Sequence, residues 1–129
     1  MNVGIIYLGS NNLTSLTSAL RFLGAKFKIV KKTNNLNNFS HIILPGVGSY
    51  DFIINNFNKN FSKHVQKYIK QNKPILGICI GMQILGKSSA EGNMPGLKIT
   101  NHKYIKLNSK KNIHKVPNTG YRQVFTDRS

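Results

Sequence analysis

Lys73-Pro74-Ile75-Leu76-Gly77-Ile78-Cys79-Ile80-Gly81-Met82-Gln83 decides the fold. A short apolar run ends in a cysteine set between glycines and then turns helix-like. A Gly-x-Cys-x-Gly stretch between strand and helix has the geometry of an elbow, in which flanking glycines let a tight turn hold a nucleophile clear of the backbone. The helix beginning just after Cys79 would bring backbone N–H groups near the sulfur. Cys79 is the only cysteine in the chain, so it has no intramolecular disulfide partner and its thiol is free to react. The elbow alone leaves two readings open: a nucleophile, or a buried structural cysteine, since free Cys is among the most buried residue types.

Outward from this stretch, apolar runs alternate with amphipathic segments. Residues 3–7 read as a buried strand, followed by a helix with Leu13, Leu16, Leu20 and Leu23 on one side, Asn12 as its N-cap and Gly24 just past its end. Residues 27–30 form a second strand and 33–38 an Asn-rich loop. His41-Ile42-Ile43-Leu44 is a third strand, closed by Pro45-Gly46-Val47-Gly48. The segment 53–71 predicts one helix, with Phe57, Phe61, Val65, Tyr68 and Ile69 on one face and Lys59, Lys63, Lys67 and Lys70 opposite. Residues 74–78 form the fourth strand. The order predicts an α/β fold: an open, mostly parallel sheet with helices on both faces. After Gly92 the pattern changes. Residues 97–100, 104–107 and 123–125 predict short strands of an antiparallel extension after residue 95.

At 129 residues the chain reads as a single domain spanning 1–129. No membrane span and no signal segment are evident, and together with the lone cysteine this predicts a cytoplasmic protein. The formal charge is +16, with Asp51, Glu91 and Asp127 as the only acids. Such a balance raises nucleic acid as a partner. The distribution argues against it: Arg, the usual bidentate base reader, occurs only at positions 21, 122 and 128, and the lysines of 53–71 form a solvated helix face.

In doubly wound sheets ligands gather outside the carboxyl ends of the strands. Two loops leave such ends, Pro45-Gly46-Val47-Gly48 and the Cys79 elbow. If neighbouring strands carry them, backbone N–H groups of the first loop and of Ile80 could meet a tetrahedral intermediate formed on Cys79, which points to acyl transfer through a thioester. A thiol nucleophile also wants a base. The candidates are His41 and His64, neither placed to point at Cys79, and His102 and His114, neither joined to a carboxylate by an evident spacing, so the residues do not assemble a Cys-His-Asp/Glu triad.

Four motifs taken together, Ile5-Ile6-x-x-Gly9-x-x-Asn12-Leu13, Leu44-Pro45-Gly46-Val47-Gly48, Gly77-Ile78-Cys79-Ile80-Gly81-Met82-Gln83 and Ser88-Ser89-Ala90-Glu91-Gly92, resemble the glutaminase subunits of imidazole glycerol phosphate synthase. These are triad-type class I glutamine amidotransferases of histidine biosynthesis. The resemblance implies that Cys79 attacks the side-chain amide of glutamine. It further implies that Val47 and Ile80 supply oxyanion-hole N–H groups, that Gly46 and Gly48 line the glutamine site, and that Gln83 and Glu91 hold the polar ends of the substrate. Ammonia would pass to a β/α-barrel cyclase subunit in a heterodimer, with neither cofactor nor metal.

The departures are equally specific. Pro117-Asn118-Thr119-Gly120-Tyr121-Arg122 stands where the family carries Pro-His-Met-Gly-Trp-Asn, and Tyr7 where it usually has an acid. Nothing after Val124 matches the family's His-Ser segment or the His-x-Glu that completes the triad. The expectation is therefore a domain incomplete at its C-terminus and inactive as a glutaminase on its own. Two alternatives stay open: a sibling amidotransferase of surface-sugar biosynthesis, and a non-catalytic remnant that binds a partner.

Overall fold

The computed structural model describes residues 1–9, 12–32, 35–107, 120, 121, 123 and 125. Its centre is a four-stranded sheet built from β1 (Asn2–Ile6), β2 (Lys26–Val30), β3 (His41–Gly46) and β4 (Ile75–Cys79), in the order β2-β1-β3-β4. All three pairings are parallel, with Ile5 opposite Ile29 and Ile43, and Ile43 opposite Leu76. The alternation of strand side chains sends Val3, Ile5 and Ile43 to one face, where Leu20 and the half-buried Leu16 of α1 (Thr14–Phe22) cover them. Ile6, Ile42 and Leu44 go to the other face. There they pack against α2 (Tyr50–Asn60), α3 (Ser62–Ile69) and α4 (Ile80–Leu85), through Ile53, Phe57, Val65 and Ile84. Helices on both faces of a parallel sheet are what the apolar strands predict.

Among the described residues no helix links β2 to β3. Leu36 and Phe39 plug that crossing instead, and the Phe39 ring fills the space where Gly4 has no side chain. Among the described residues no helix is long and apolar enough to cross a membrane.

Several expectations change in detail. The helix expected over 53–71 begins earlier, at Tyr50, and breaks at Phe61 (φ −133°) into α2 and α3. The expected apolar face survives the break, with Phe57, Phe61, Val65 and Tyr68 all buried. Helix α1 is capped at Leu13 without a side-chain bond. Asn12 Oδ1 instead accepts the Thr14 N–H at 3.3 Å. Gly24 does end this helix, at φ +64°.

Among the described residues no antiparallel extension is formed. β5 (Ser88–Ser89) pairs in parallel with β6 (Lys103–Tyr104), so the strand expected over 104–107 shrinks to a two-residue bridge. Residues 97–100 form no strand, because their N–H groups are committed to the end of α4. Leu97 N–H donates to Ile84 O (2.8 Å), Lys98 N–H to Gly86 O (2.9 Å), and those of Ile99 and Thr100 to Leu85 O (2.9 Å each). These carbonyls would otherwise be the orphan acceptors of a helix C-terminus. Of the strand expected over 123–125, Gln123 and Phe125 are not in a strand and Val124 lies outside the described residues.

Candidate active site

Cys79 closes β4 and serves as the residue from which α4 starts, at φ +55°, ψ −121°. Positive φ in a residue with a side chain costs of order 1–3 kcal/mol and persists only where the surroundings over-determine it. Three glycines show what over-determines it here. A Cβ on Gly77 would come within 2.5 Å of Met82 Cα, and one on Gly46 within 2.8 Å of the Gly81 nitrogen. One on Gly81 would collide with the Leu44 carbonyl. The start of α4 thus lies directly on the backbone of β3, and the turn at Cys79 is the path that permits it. The Cys79 side chain is exposed, which removes the reading of a buried structural cysteine.

The strand register settles the condition attached to the two loops. Gly46 is opposite Cys79 and Pro45 opposite Ile78, so the Pro45-Gly46-Val47-Gly48 loop leaves the sheet beside the elbow. Gly46 is buried, Val47 is exposed, and Gly48 is exposed at φ +106°. Ile80, the first residue of α4, is buried beneath them. A cavity of ≈ 250 Å³ touches Leu16, Val47, Ile78 and Cys79 on the α1 side of the sheet; neither Gln83 nor Glu91 lines it.

Gln83 follows Cys79 by one helical turn and shares its side of α4. Its amide belongs to a closed ring of hydrogen bonds. Gln83 Nε2 donates to Glu91 Oε1 (3.2 Å), Ser89 Oγ donates to Gln83 Oε1 (2.7 Å), and the Glu91 N–H donates to Ser89 Oγ (3.1 Å). Gln83 and Glu91 are therefore brought together, with buried Ser89 as the member that sequence reasoning did not single out. Asp51 was missed as well. It lies in the first turn of α2, and its Oδ1 accepts the N–H groups of Asn93 and Met94 at 3.0 Å each. With only three acids in the chain, a carboxylate of unassigned purpose was the available signal.

The described histidines remain apart from the thiol. His41 opens β3 at the end opposite Gly46, its Nδ1 2.9 Å from Ser40 Oγ. His64 lies on α3, and the His102 carbonyl accepts the Lys87 N–H beyond the far end of α4. None of the three is hydrogen-bonded to Cys79, and His114 lies outside the described residues. Among the described residues no group of three or more His, Cys, Asp or Glu could hold a metal ion. Tyr50, packed beneath this region, has a buried hydroxyl without a hydrogen-bond partner among the described residues.

A doubly wound parallel sheet with an exposed thiol on a strand-to-helix elbow, beside a glycine loop, defines an α/β protein of the elbow type. The chain belongs to the class-I glutamine amidotransferases, the family whose model matches residues 5–127. It is 37% identical to the imidazole glycerol phosphate synthase subunit hisH of Cyanidium caldarium over 98% of this chain and 60% of that protein. It is 34% identical to the HisH subunit of Leptospira interrogans over 98% of this chain and 64% of that one. The chain thus spans about 60% of the length of the curated relatives it matches. A crystal structure of a glutamine amidotransferase shares the fold at a TM-score of 0.67 and 24% identity, over 78% of this chain and 54% of that chain. The structure of PurLQS from Thermotoga maritima superimposes at a TM-score of 0.58 and 26% identity, covering 65% of this chain and 42% of that chain.

Proposed function

We propose that the chain forms the nucleophile-bearing part of a glutaminase that supplies ammonia to a β/α-barrel cyclase in imidazole glycerol phosphate formation, as a cytoplasmic heterodimer. The observation that carries the reading is the register of Gly46 against Cys79. The identity of the relatives as imidazole glycerol phosphate synthase subunits supports the pathway. The Cys79 sulfur, as thiolate, attacks the side-chain amide carbon of glutamine. The oxyanion is received by the N–H groups of Val47 and Ile80, with Gly46 and Gly48 leaving room for the substrate. Collapse breaks the C–N bond, the nitrogen takes a proton and leaves as ammonia, and a glutamyl thioester remains. Water then cleaves the thioester, restoring the thiol and releasing glutamate. Glu91 pairs with the substrate's α-ammonium and Gln83 with its α-carboxylate end.

The proton transfers need a base, and no described histidine is joined to Cys79. Loss of the base alone costs up to about 10⁶ in rate in a serine-protease triad, so the 129-residue chain by itself is expected to release no measurable ammonia. The test is a glutaminase assay with a cyclase barrel and its acceptor ligand, comparing this chain with a chimera that adds the remaining part of the Cyanidium caldarium relative. We expect the chimera to release ammonia and its Cys79→Ala variant to be silent. Release from the 129-residue chain that vanished on Cys79→Ala would overturn the expected inactivity. A folded but silent chimera would remove the glutaminase reading in favour of a partner-binding one. The sugar-pathway alternative turns on the 117–122 segment, of which only Gly120 and Tyr121 are described.

A further inference from the structure

Helix α2 begins immediately after the Pro45-Gly46-Val47-Gly48 loop, with Ser49 Oγ accepting the Phe52 N–H at 3.4 Å. An acidic residue in the first turn would ordinarily serve its own helix, by favourable interaction with the dipole or with free N–H groups. The half-buried Asp51 carboxylate instead reaches out of the helix. Its Oδ1 accepts from Asn93 N and Met94 N (3.0 Å each) and its Oδ2 from Asn93 N (3.2 Å). Between these residues and Glu91 sits Gly92, packed so closely that a Cβ there would collide with the Asp51 carboxylate and the Tyr50 ring. The turn that carries Glu91 is therefore held on two sides. Upstream, Ser89 and Gln83 tie it to α4, the helix that starts at Cys79. Downstream, Asp51 ties it to α2, the helix that starts at the proposed oxyanion loop.

We infer that Asp51 is a positioning residue, which fixes the Glu91 carboxylate at a set distance from Cys79 and the Gly46–Gly48 loop. The inference rests on the proposed glutaminase reading. A glutamine molecule gripped by Glu91 at its α-ammonium end reacts at its amide end, so a shift of the grip moves the amide carbon off the sulfur. Hydrogen bonds to an ionised acceptor are stronger than neutral ones, which makes a carboxylate a firmer tether than a neutral side chain would be. Asp51 touches no substrate atom in this arrangement and acts through Glu91.

The test separates the tether from the nucleophile. The chimera that adds the remaining part of the Cyanidium caldarium relative, taken here as the parent, is treated with a diazoketone analogue of glutamine, which alkylates a thiol only when seated as glutamine would be, and in parallel with iodoacetamide, which needs exposure alone; mass spectrometry follows Cys79. In Asp51→Ala, labelling by the analogue is expected to slow by about tenfold to a hundredfold, the scale of a 1 Å misplacement, while iodoacetamide labelling stays within about twofold. Asp51→Asn keeps one oxygen acceptor and is expected to fall between parent and Asp51→Ala; it also stands in should Asp51→Ala fail to fold. In a Glu91→Gln background Asp51→Ala should add little, because the two act through one contact. Equal analogue labelling of folded Asp51→Ala and parent, or fully additive losses with Glu91→Gln, overturns the inference. Failure of the analogue to label the parent, with iodoacetamide still reacting, overturns the glutaminase reading instead.

Discussion

At the scale of single residues, Cys79 and its glycines form one mechanical unit. The positive φ of Cys79 is strain that only glycine adopts freely. We therefore expect Cys79→Gly to be more stable to denaturant than Cys79→Ala, by about 1 kcal/mol, although both lose the thiol. An alanine variant of equal or greater stability would show that the turn is not strained. Gly81→Ala drives a methyl group into the Leu44 carbonyl and is expected to cost about 2 kcal/mol or more in the same measurement. Gly24→Ala, where nothing lies within 4 Å of the added carbon, should cost only the roughly 1 kcal/mol of its backbone conformation. The glycine spacing made the elbow legible in the sequence. The need for glycine at position 46, on another strand, was not, because its neighbour Gly81 is distant in the chain.

At the scale of elements, the two inner strands and the elbow strand differ in a way their composition conceals. Ile75-Leu76-Gly77-Ile78 looks as apolar as His41-Ile42-Ile43-Leu44, yet β4 ends the described sheet, with Leu76 56% and Ile78 39% exposed, while Ile43 is 6% exposed. Ile43→Ala should accordingly cost about 3 kcal/mol, the usual scale for a buried aliphatic truncation. Leu76→Ala should stay below about 1 kcal/mol. Urea unfolding of the two variants measures the contrast, and a Leu76 cost as large as that of Ile43 would mean that this face is covered in solution. A similar concealment hides the break at Phe61. The apolar stripe runs through it in register, so periodicity reports the buried face and not the end of α2.

At the scale of the whole molecule, the tyrosines buried in the α2–α3 layer couple stability to alkaline pH. Burial raises the Tyr50 hydroxyl above its ordinary value of 10.0, with the charge of Asp51 adding to it, and burial likewise raises Tyr68. A raised folded-state value means that the unfolded chain releases its protons first. The stabilisation is whole below pH 10 and is lost as pH rises from there through the folded values. The measurement is a difference, which cancels what the two chains share: stability of the parent minus that of Tyr50→Phe/Tyr68→Phe should fall with rising pH above 10. A flat difference would contradict the assignment. The Tyr50 hydroxyl has no partner among the described residues, whereas that of Tyr68 donates to the Phe39 carbonyl at 3.3 Å. Removing the first should therefore be the milder change at neutral pH.

The sequence by itself determined the alternation of buried strands and amphipathic helices, the parallel sheet covered on both faces, and the glycine-flanked elbow at Cys79. Each of these is written in local spacing: apolar runs, 3.6-residue stripes and glycines on either side of Cys79. That its thiol is exposed came from the structure. Only the tertiary structure decided that Gly46 lies beside Cys79, that Gln83, Ser89 and Glu91 close one ring, and that Asp51 holds the turn behind Glu91. It also turned residues 97–100 away from the strand expected of them, because the carbonyls ending α4 claimed their N–H groups. These are pairings between segments far apart in the chain. They are set by close packing at a few glycines and by the demand that buried polar groups find partners, neither of which leaves a period in the sequence.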